Sequence, residues 1–205
     1  MTKPSLLLFD LGGVLTENAG FSQLNTLLPQ PLDKQDLKQR WLLSSSVRAF
    51  ELGELGAQDF ARQFIQEWQL ELSAEEFLLE FTAWSKGFYP NAQATLHLLR
   101  QEHRVACLSN SNPIHWQKFA GYENHFDIAL FSHLRGVIKP DREAFMLAID
   151  ECAVKPSEIY YFDDSAANVE VAESLGMHAF LVEGFKALLQ LLICQGLVAV
   201  PVVVE

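Results

Sequence analysis

The sequence predicts an α/β fold, a parallel sheet wound with helices on both faces and interrupted after its first strand by a small bundle of helices. Three observations predict it. Leu6-Leu7-Leu8-Phe9 is an unbroken apolar run that stops at Asp10, with Gly12 and Gly13 just beyond, as expected of a strand buried on both faces. From Tyr89 onward, short apolar runs alternate with helical stretches, which implies right-handed crossovers between parallel strands. Between these regions the chain is rich in Gln, Glu, Leu and aromatic residues, with apolar side chains at helical spacing.

Each element has its own signal. The first strand ends at Asp10, and the glycines let the backbone turn sharply beside it. In the inserted region, Leu37, Trp41 and Leu42 are expected on one helix face, and Phe60, Phe64, Ile65 and Trp68 on another. Pro29 and Pro31 interrupt its start, while Gly53 and Gly56 separate two helices. Ser73-Ala74-Glu75-Glu76 has the form of a capping box, and Leu72 and Phe77 of its hydrophobic staple. No strand is expected in this bundle. Pro90-Asn91 then opens a helix through Leu98 and Leu99, followed by a strand at Val105–Leu108. A helical stretch through Trp116 and Phe119 precedes a strand at Ile128–Phe131. Asp141 caps a helix through Phe145 and Ile149, Ile159–Phe162 is the next strand, and a helix from Ser165 to Leu175 closes at Gly176. Ala179–Val182 is the fifth strand. The β-prone ending, Leu197 to Val204, is expected to be an edge strand or a tail that pairs between chains.

Composition bounds the function. Of 205 residues, 49% are hydrophobic, enough for a sizeable core, and 20% are charged, with a net charge of −11. Such a balance argues against nucleic-acid binding, which needs clustered Lys and Arg, but leaves room for a small anion held by a metal ion and a lysine. Cys107, Cys152 and Cys194 lack CxxC spacing and are expected to be buried thiols of a reducing compartment. The short apolar run ending at Asp10 does not have the form of a signal peptide, and no stretch is long enough to span a bilayer, so a cytoplasmic protein is expected.

Four strand ends carry polar groups: Asp10, Ser109-Asn110, the loop with Lys139-Pro140, and Asp163-Asp164. In a parallel sheet these ends share one edge, so residues distant in sequence converge. In this order, and with these elements, Asp10-Leu11-Gly12-Gly13-Val14, Ser109-Asn110, Lys139-Pro140 and Asp163-Asp164 resemble the motifs of the haloacid dehalogenase-like hydrolase superfamily. The resemblance runs over nearly the whole chain and implies a Rossmann-like core of residues 1–16 and 89–205, with residues 17–88 as a type-one helical cap. Phe50-Glu51-Leu52-Gly53-Glu54-Leu55 looks like cap sequence of the subgroup that resembles sugar-phosphate phosphatases and the phosphatase domain of soluble epoxide hydrolases.

The resemblance implies a Mg²⁺-dependent phosphomonoester hydrolase acting on a small phosphorylated metabolite, with sugar phosphates among the candidates. Asp10 would attack phosphorus and form an aspartyl-phosphate. Asp10, the Gly12 carbonyl and Asp164 would hold Mg²⁺, with Asp163 binding through water or orienting the site. Adjacent acids at a strand end repel unless a cation lies between them, which agrees with that assignment. Ser109 and Asn110 would bind the phosphoryl group, and Lys139 would neutralise its charge. In the cap, Trp41, Ser45, Ser46 and Arg48 are candidate substrate contacts; alternatively Trp41 packs the bundle and Arg48 forms a surface pair. Gly12 is a departure, because most phosphatases of the family carry an acid/base Asp there. Glu17, Thr16, His115 or a water are the candidate substitutes. Two other readings stand beside this one: a catalytically weak binding or regulatory protein, for which Gly12 is the positive sign, and a 2-haloacid dehalogenase, against which Asp163-Asp164 argues. A monomer or homodimer is expected.

Overall fold

The computed structural model describes residues 4–199. Among them, five parallel strands form one sheet: β1 (Leu6–Phe9), β4 (Arg104–Ser109), β5 (Ile128–Phe131), β6 (Ile159–Asp163) and β7 (His178–Leu181), in the order β5-β4-β1-β6-β7. β1 is central, with Leu8 paired to Ala106 on one side and to Tyr161 on the other. Its four side chains are all buried, alternating between the two faces. Leu7 and Phe9 meet α6 (Ala92–Leu99) and α11 (Phe185–Cys194) in one core; Leu6 and Leu8 meet α9 (Arg142–Cys152) and α10 (Ala166–Ser174) in the other. Two-sided burial is why the run needs no polar alternation, and burying each such side chain is worth about 1.5–3 kcal/mol. The helix α11 has no counterpart in the sequence expectations.

The region after β1 holds α1 (Gly20–Leu27), α2 (Lys34–Leu43), α3 (Ser45–Glu51), α4 (Ala57–Trp68) and α5 (Ala74–Trp84) around a core of their own. Phe60, Phe64 and Trp68 of α4 are buried there with Phe50, Phe77, Phe81 and Trp84. Ser73 and Glu76 form the reciprocal capping box on α5, and Leu72 and Phe77 join the same cluster. Three expectations are corrected. Leu42 is 46% exposed rather than sharing the buried face of Leu37. Cys194 is exposed, whereas Cys107 and Cys152 are buried. The region is not strand-free at its ends, because β2 (Thr16–Asn18) pairs antiparallel with β3 (Ser85–Phe88) where the chain leaves the sheet and returns. This pairing brings the two crossings together and sets the helices over the sheet's carboxyl edge. Leu197 and Val198 pack against the core as irregular chain, and the remainder of the expected edge strand or tail lies outside the described residues.

Candidate active site

The floor of the site is the carboxyl edge of β1 and its neighbours. Asp10 follows β1 directly, and its N–H donates to the Phe162 carbonyl at 2.9 Å, so the strand ladder fixes its backbone. Lys139 comes from the loop between α8 (Ser132–Arg135) and α9 and is buried. Its Nζ donates to Asp10 Oδ1 at 2.8 Å and to Asp163 Oδ2 at 2.7 Å. Asn110 clamps the lysine's backbone, donating from Nδ2 to the Lys139 carbonyl and accepting its N–H at Oδ1, both at 2.9 Å. Ser109 is buried, and its hydroxyl donates to the Asn110 carbonyl at 3.2 Å.

Asp163 is fully buried and saturated. Oδ1 accepts from the Ser165 N–H at 2.8 Å and from Asn168 Nδ2 at 3.0 Å; Oδ2 accepts from Asn168 at 3.0 Å, from Lys139 and from the Tyr161 hydroxyl. Asp164 is more open and pairs with Lys38 of α2, whose Nζ lies 2.9 Å from Oδ2 and 3.2 Å from its carbonyl oxygen. Gly13 makes room for it: φ is +78°, and a Cβ there would stand 3.0 Å from Asp164 Oδ2. At Gly12 the nearest atom to a Cβ would be Asn18 Nδ2 at 3.7 Å, so a side chain could stand there.

The electrostatics follow from this geometry. Asp10, Asp163 and Asp164 each offer a carboxylate oxygen within 4.8 Å of the others. Burial raises the Asp10 pKa most; Lys139 opposes that rise and the two neighbouring carboxylates add to it, giving about 7. Burial alone would lower Lys139, but Asp10 and Asp163 outweigh it and hold the ammonium firmly charged. Three carboxylates face two lysines, a donor set of hard oxygens that fits Mg²⁺. Within the set, Asp163 is committed to its four partners, while Asp164 is partly open to solvent and pairs with Lys38.

The roof is α3 and the end of α2. Trp41, Val47, Arg48 and Glu51 line a cleft opposite Asn110, Ile138 and Lys139. Trp41 packs among Phe21, Phe64, Trp68 and Trp84 with ring centroids 5.7–6.4 Å apart, and also borders the cleft. Arg48 holds both carboxylate oxygens of Asp141, so Asp141 begins α9 without a side-chain cap bond. Ser46 does not face the cleft: its hydroxyl, together with the N–H groups of Ser45 and Ser46, binds Glu67. The candidate substitutes for an acid at Gly12 are occupied or exposed. The Thr16 hydroxyl donates to the Leu11 carbonyl at 3.0 Å, and His115 Nε2 donates to the Phe81 carbonyl at 2.7 Å. Glu17 is exposed on β2.

Sequence reasoning missed Glu51, Lys38, Tyr161 and Asn168. Glu51 had a readable signal: it follows Val47 by one helical turn, which puts an acid on an apolar face. Asn168 lies in the first turn of α10, just beyond the end of β6 at Asp163, but an Asn on a helix reads as solvated without tertiary contacts.

Comparison with known proteins agrees with the fold. The haloacid dehalogenase-like hydrolase family matches residues 4–176. The chain is 26% identical over 191 residues to a D-ribitol-5-phosphate phosphatase of Bacteroides thetaiotaomicron, covering 86% of this chain and 91% of that protein. It is 25% identical over 190 residues to acyl-CoA dehydrogenase family member 10 of Mus musculus, covering 86% of this chain but only 18% of that longer protein. Among solved structures, a haloacid dehalogenase family enzyme of Bacteroides thetaiotaomicron in complex with magnesium and inorganic phosphate superposes with a TM-score of 0.69 at 22% identity, covering 88% of this chain and 95% of the other.

Proposed function

The chain belongs to the haloacid dehalogenase-like hydrolase family, and from that premise we propose that it is a Mg²⁺-dependent phosphomonoesterase acting on a small phosphorylated metabolite. The observation that carries this reading is the buried ammonium of Lys139, shared between Asp10 and Asp163 with a third carboxylate beside them. A phosphoryl group brings negative charge against a carboxylate nucleophile, and fixed cations must offset it. The D-ribitol-5-phosphate phosphatase similarity supports polyol and sugar phosphates as the first substrates to test.

In this mechanism Asp10 attacks phosphorus and carries the phosphoryl group until water displaces it. Lys139 neutralises charge shared by Asp10 and the phosphoryl oxygens, and Asp163 holds Lys139 in place. The Ser109 hydroxyl turns from the Asn110 carbonyl to a phosphoryl oxygen, while Asn110 keeps the lysine's backbone in register. Mg²⁺ bound by Asp10, the Gly12 carbonyl and Asp164 would supply further charge neutralisation. The chain's core is assigned to residues 1–16 and 89–205, and its cap to residues 17–88.

Phosphate release from a panel of sugar, polyol and simple alkyl phosphates, with Mg²⁺ and with chelator, tests the proposal. Metal-dependent release by the wild type and loss of at least about 10³-fold in Asp10→Asn are expected. No release above the Asp10→Asn background would overturn it and favour a phospho-ligand-binding protein, the reading that Gly12 supports.

A further inference from the structure

Phosphomonoester hydrolysis needs a proton for the departing oxygen, and the floor of this site offers none. Gly12 has no side chain, Lys139 is held by two carboxylates, and Asp163 accepts from four partners. The roof holds a different group. Glu51 ends α3, is 9% exposed, and borders the cleft opposite Lys139. Its carboxyl makes no hydrogen bond among the described residues, and its oxygens are not sealed off but remain accessible from the cleft that the residue lines.

Resting on the phosphatase reading, we infer that Glu51 is the general acid and base of this enzyme, supplied by the cap in place of a residue at position 12. The placement suits an in-line displacement. Glu51 lines the same cleft as Lys139, whose Nζ lies 2.8 Å from Asp10 Oδ1, so the carboxyl and the nucleophile flank one lysine. The leaving oxygen of a phosphoryl group on Asp10 would depart into the cleft that Glu51 borders. The height of Glu51 is fixed two residues further on. Gly53 has φ +79° and lies so close to the His133 backbone that a Cβ would stand 2.5 Å from its carbonyl oxygen. Burial keeps the carboxyl protonated near neutrality, its pKa pushed up to about 8 against the pull of Lys139 and with help from Asp10.

In the first step an Asp10 oxygen bonds to phosphorus, the ester P–O bond breaks, and the Glu51 proton passes to the departing alkoxide. In the second step the Glu51 carboxylate takes a proton from water as that water bonds to phosphorus and the bond to Asp10 breaks. Glu51 is then protonated again and Asp10 is a free carboxylate, so the cycle needs no co-reactant.

The test compares two leaving groups on the same full-length protein. Nitrophenolate departs without a proton, whereas the alkoxide of ribitol 5-phosphate or glycerol 3-phosphate requires one. Because kcat/KM reports the step in which the leaving group departs, Glu51→Gln is expected to lower kcat/KM on the alkyl phosphates by about 10²-fold or more and on p-nitrophenyl phosphate by only a few-fold, while kcat on p-nitrophenyl phosphate falls with the shared second step. Glu51→Asp, which withdraws the acid by one methylene, should show a smaller split in the same direction. Adding Gly12→Asp to Glu51→Gln, where the backbone has room for it, should restore alkyl-phosphate turnover at least in part. Equal losses of kcat/KM on both substrates, or none, would overturn the inference and leave the phosphatase reading intact. A wild type that cleaves only p-nitrophenyl phosphate would overturn it as well. A wild type that releases phosphate from neither substrate would overturn the phosphatase reading, and this inference with it.

Discussion

Glu51 is largely closed off from water, so its ionisation is tied to the stability of the fold. Burial is the main reason its pKa stands at about 8 rather than 4.5, with Lys139 opposing and Asp10 adding to the rise. The unfolded chain releases this proton above about pH 4.5, while the folded chain keeps it to about pH 8. Between those values the unfolded state binds fewer protons, so stability falls as pH rises. Replacing the titrating group removes that fall. Thermal melts between about pH 5 and pH 8 should show the wild type losing stability relative to Glu51→Gln, by up to about 1.4 kcal/mol per pH unit. Parallel curves would show that Glu51 titrates as an ordinary carboxylate. At Gly13 the constraint is steric, since φ is +78° and Asp164 leaves no room for a Cβ. Gly13→Ala should therefore cost about 1–3 kcal/mol in urea denaturation and should lower phosphate release through displacement of Asp164.

The elements differ in how clearly the sequence announces them. β1 was legible because Leu6 to Phe9 are buried on both faces, and β4, β5, β6 and β7 carry similar short apolar runs. The capping box of α5 was legible because its bonds span only three residues. β2 and β3 were not, since Thr16-Glu17-Asn18 and Ser85-Lys86-Gly87-Phe88 have no strand pattern and pair only because the chain leaves and returns at one place. The site divides the same way. Asp10, Ser109 and Asp163 were readable from strand ends, and Lys139 from the loop beyond the third apolar run. Lys38 was not, because nothing in α2 says which core carboxylate it meets. Where α3 docks, Gly53→Ala would drive a Cβ into the His133 carbonyl and lift the end of the helix from α8. Its expected signature is a larger fall in kcat than in KM-level binding, with Tm lowered by only a few degrees; unchanged kinetics would show that this contact does not position the cap.

At the scale of the whole molecule, ion pairs strap the helical bundle to the sheet. Lys34 reaches Glu183 at 2.8 Å, Lys38 reaches Asp164 at 2.9 Å, and Arg48 holds Asp141. Such accessible pairs are worth about 0–1 kcal/mol each, so they bias closure without locking it. The cleft between bundle and sheet is small, with room for only a few ordered waters, so a phosphorylated metabolite would enter more readily if the bundle shifted. Lys38 also occupies the carboxylate assigned to the metal. Lys38→Met should therefore tighten Mg²⁺ binding several-fold in calorimetry on the substrate-free protein, and unchanged or weaker binding would show that the lysine does not compete.

The central position of β1 also has a consequence for how the chain is made. Its partners are Arg104 to Cys107 on one side and Ile159 to Phe162 on the other. During synthesis at about 5–20 residues per second, Leu6 to Phe9 must wait on the order of ten seconds or more before β6 can close over their second edge. Through that interval a greasy strand with one open edge trails from the ribosome, bearing the carboxylate proposed as the nucleophile. Nascent chains halted before β6 should accordingly recruit holdase chaperones, and those released after it should not.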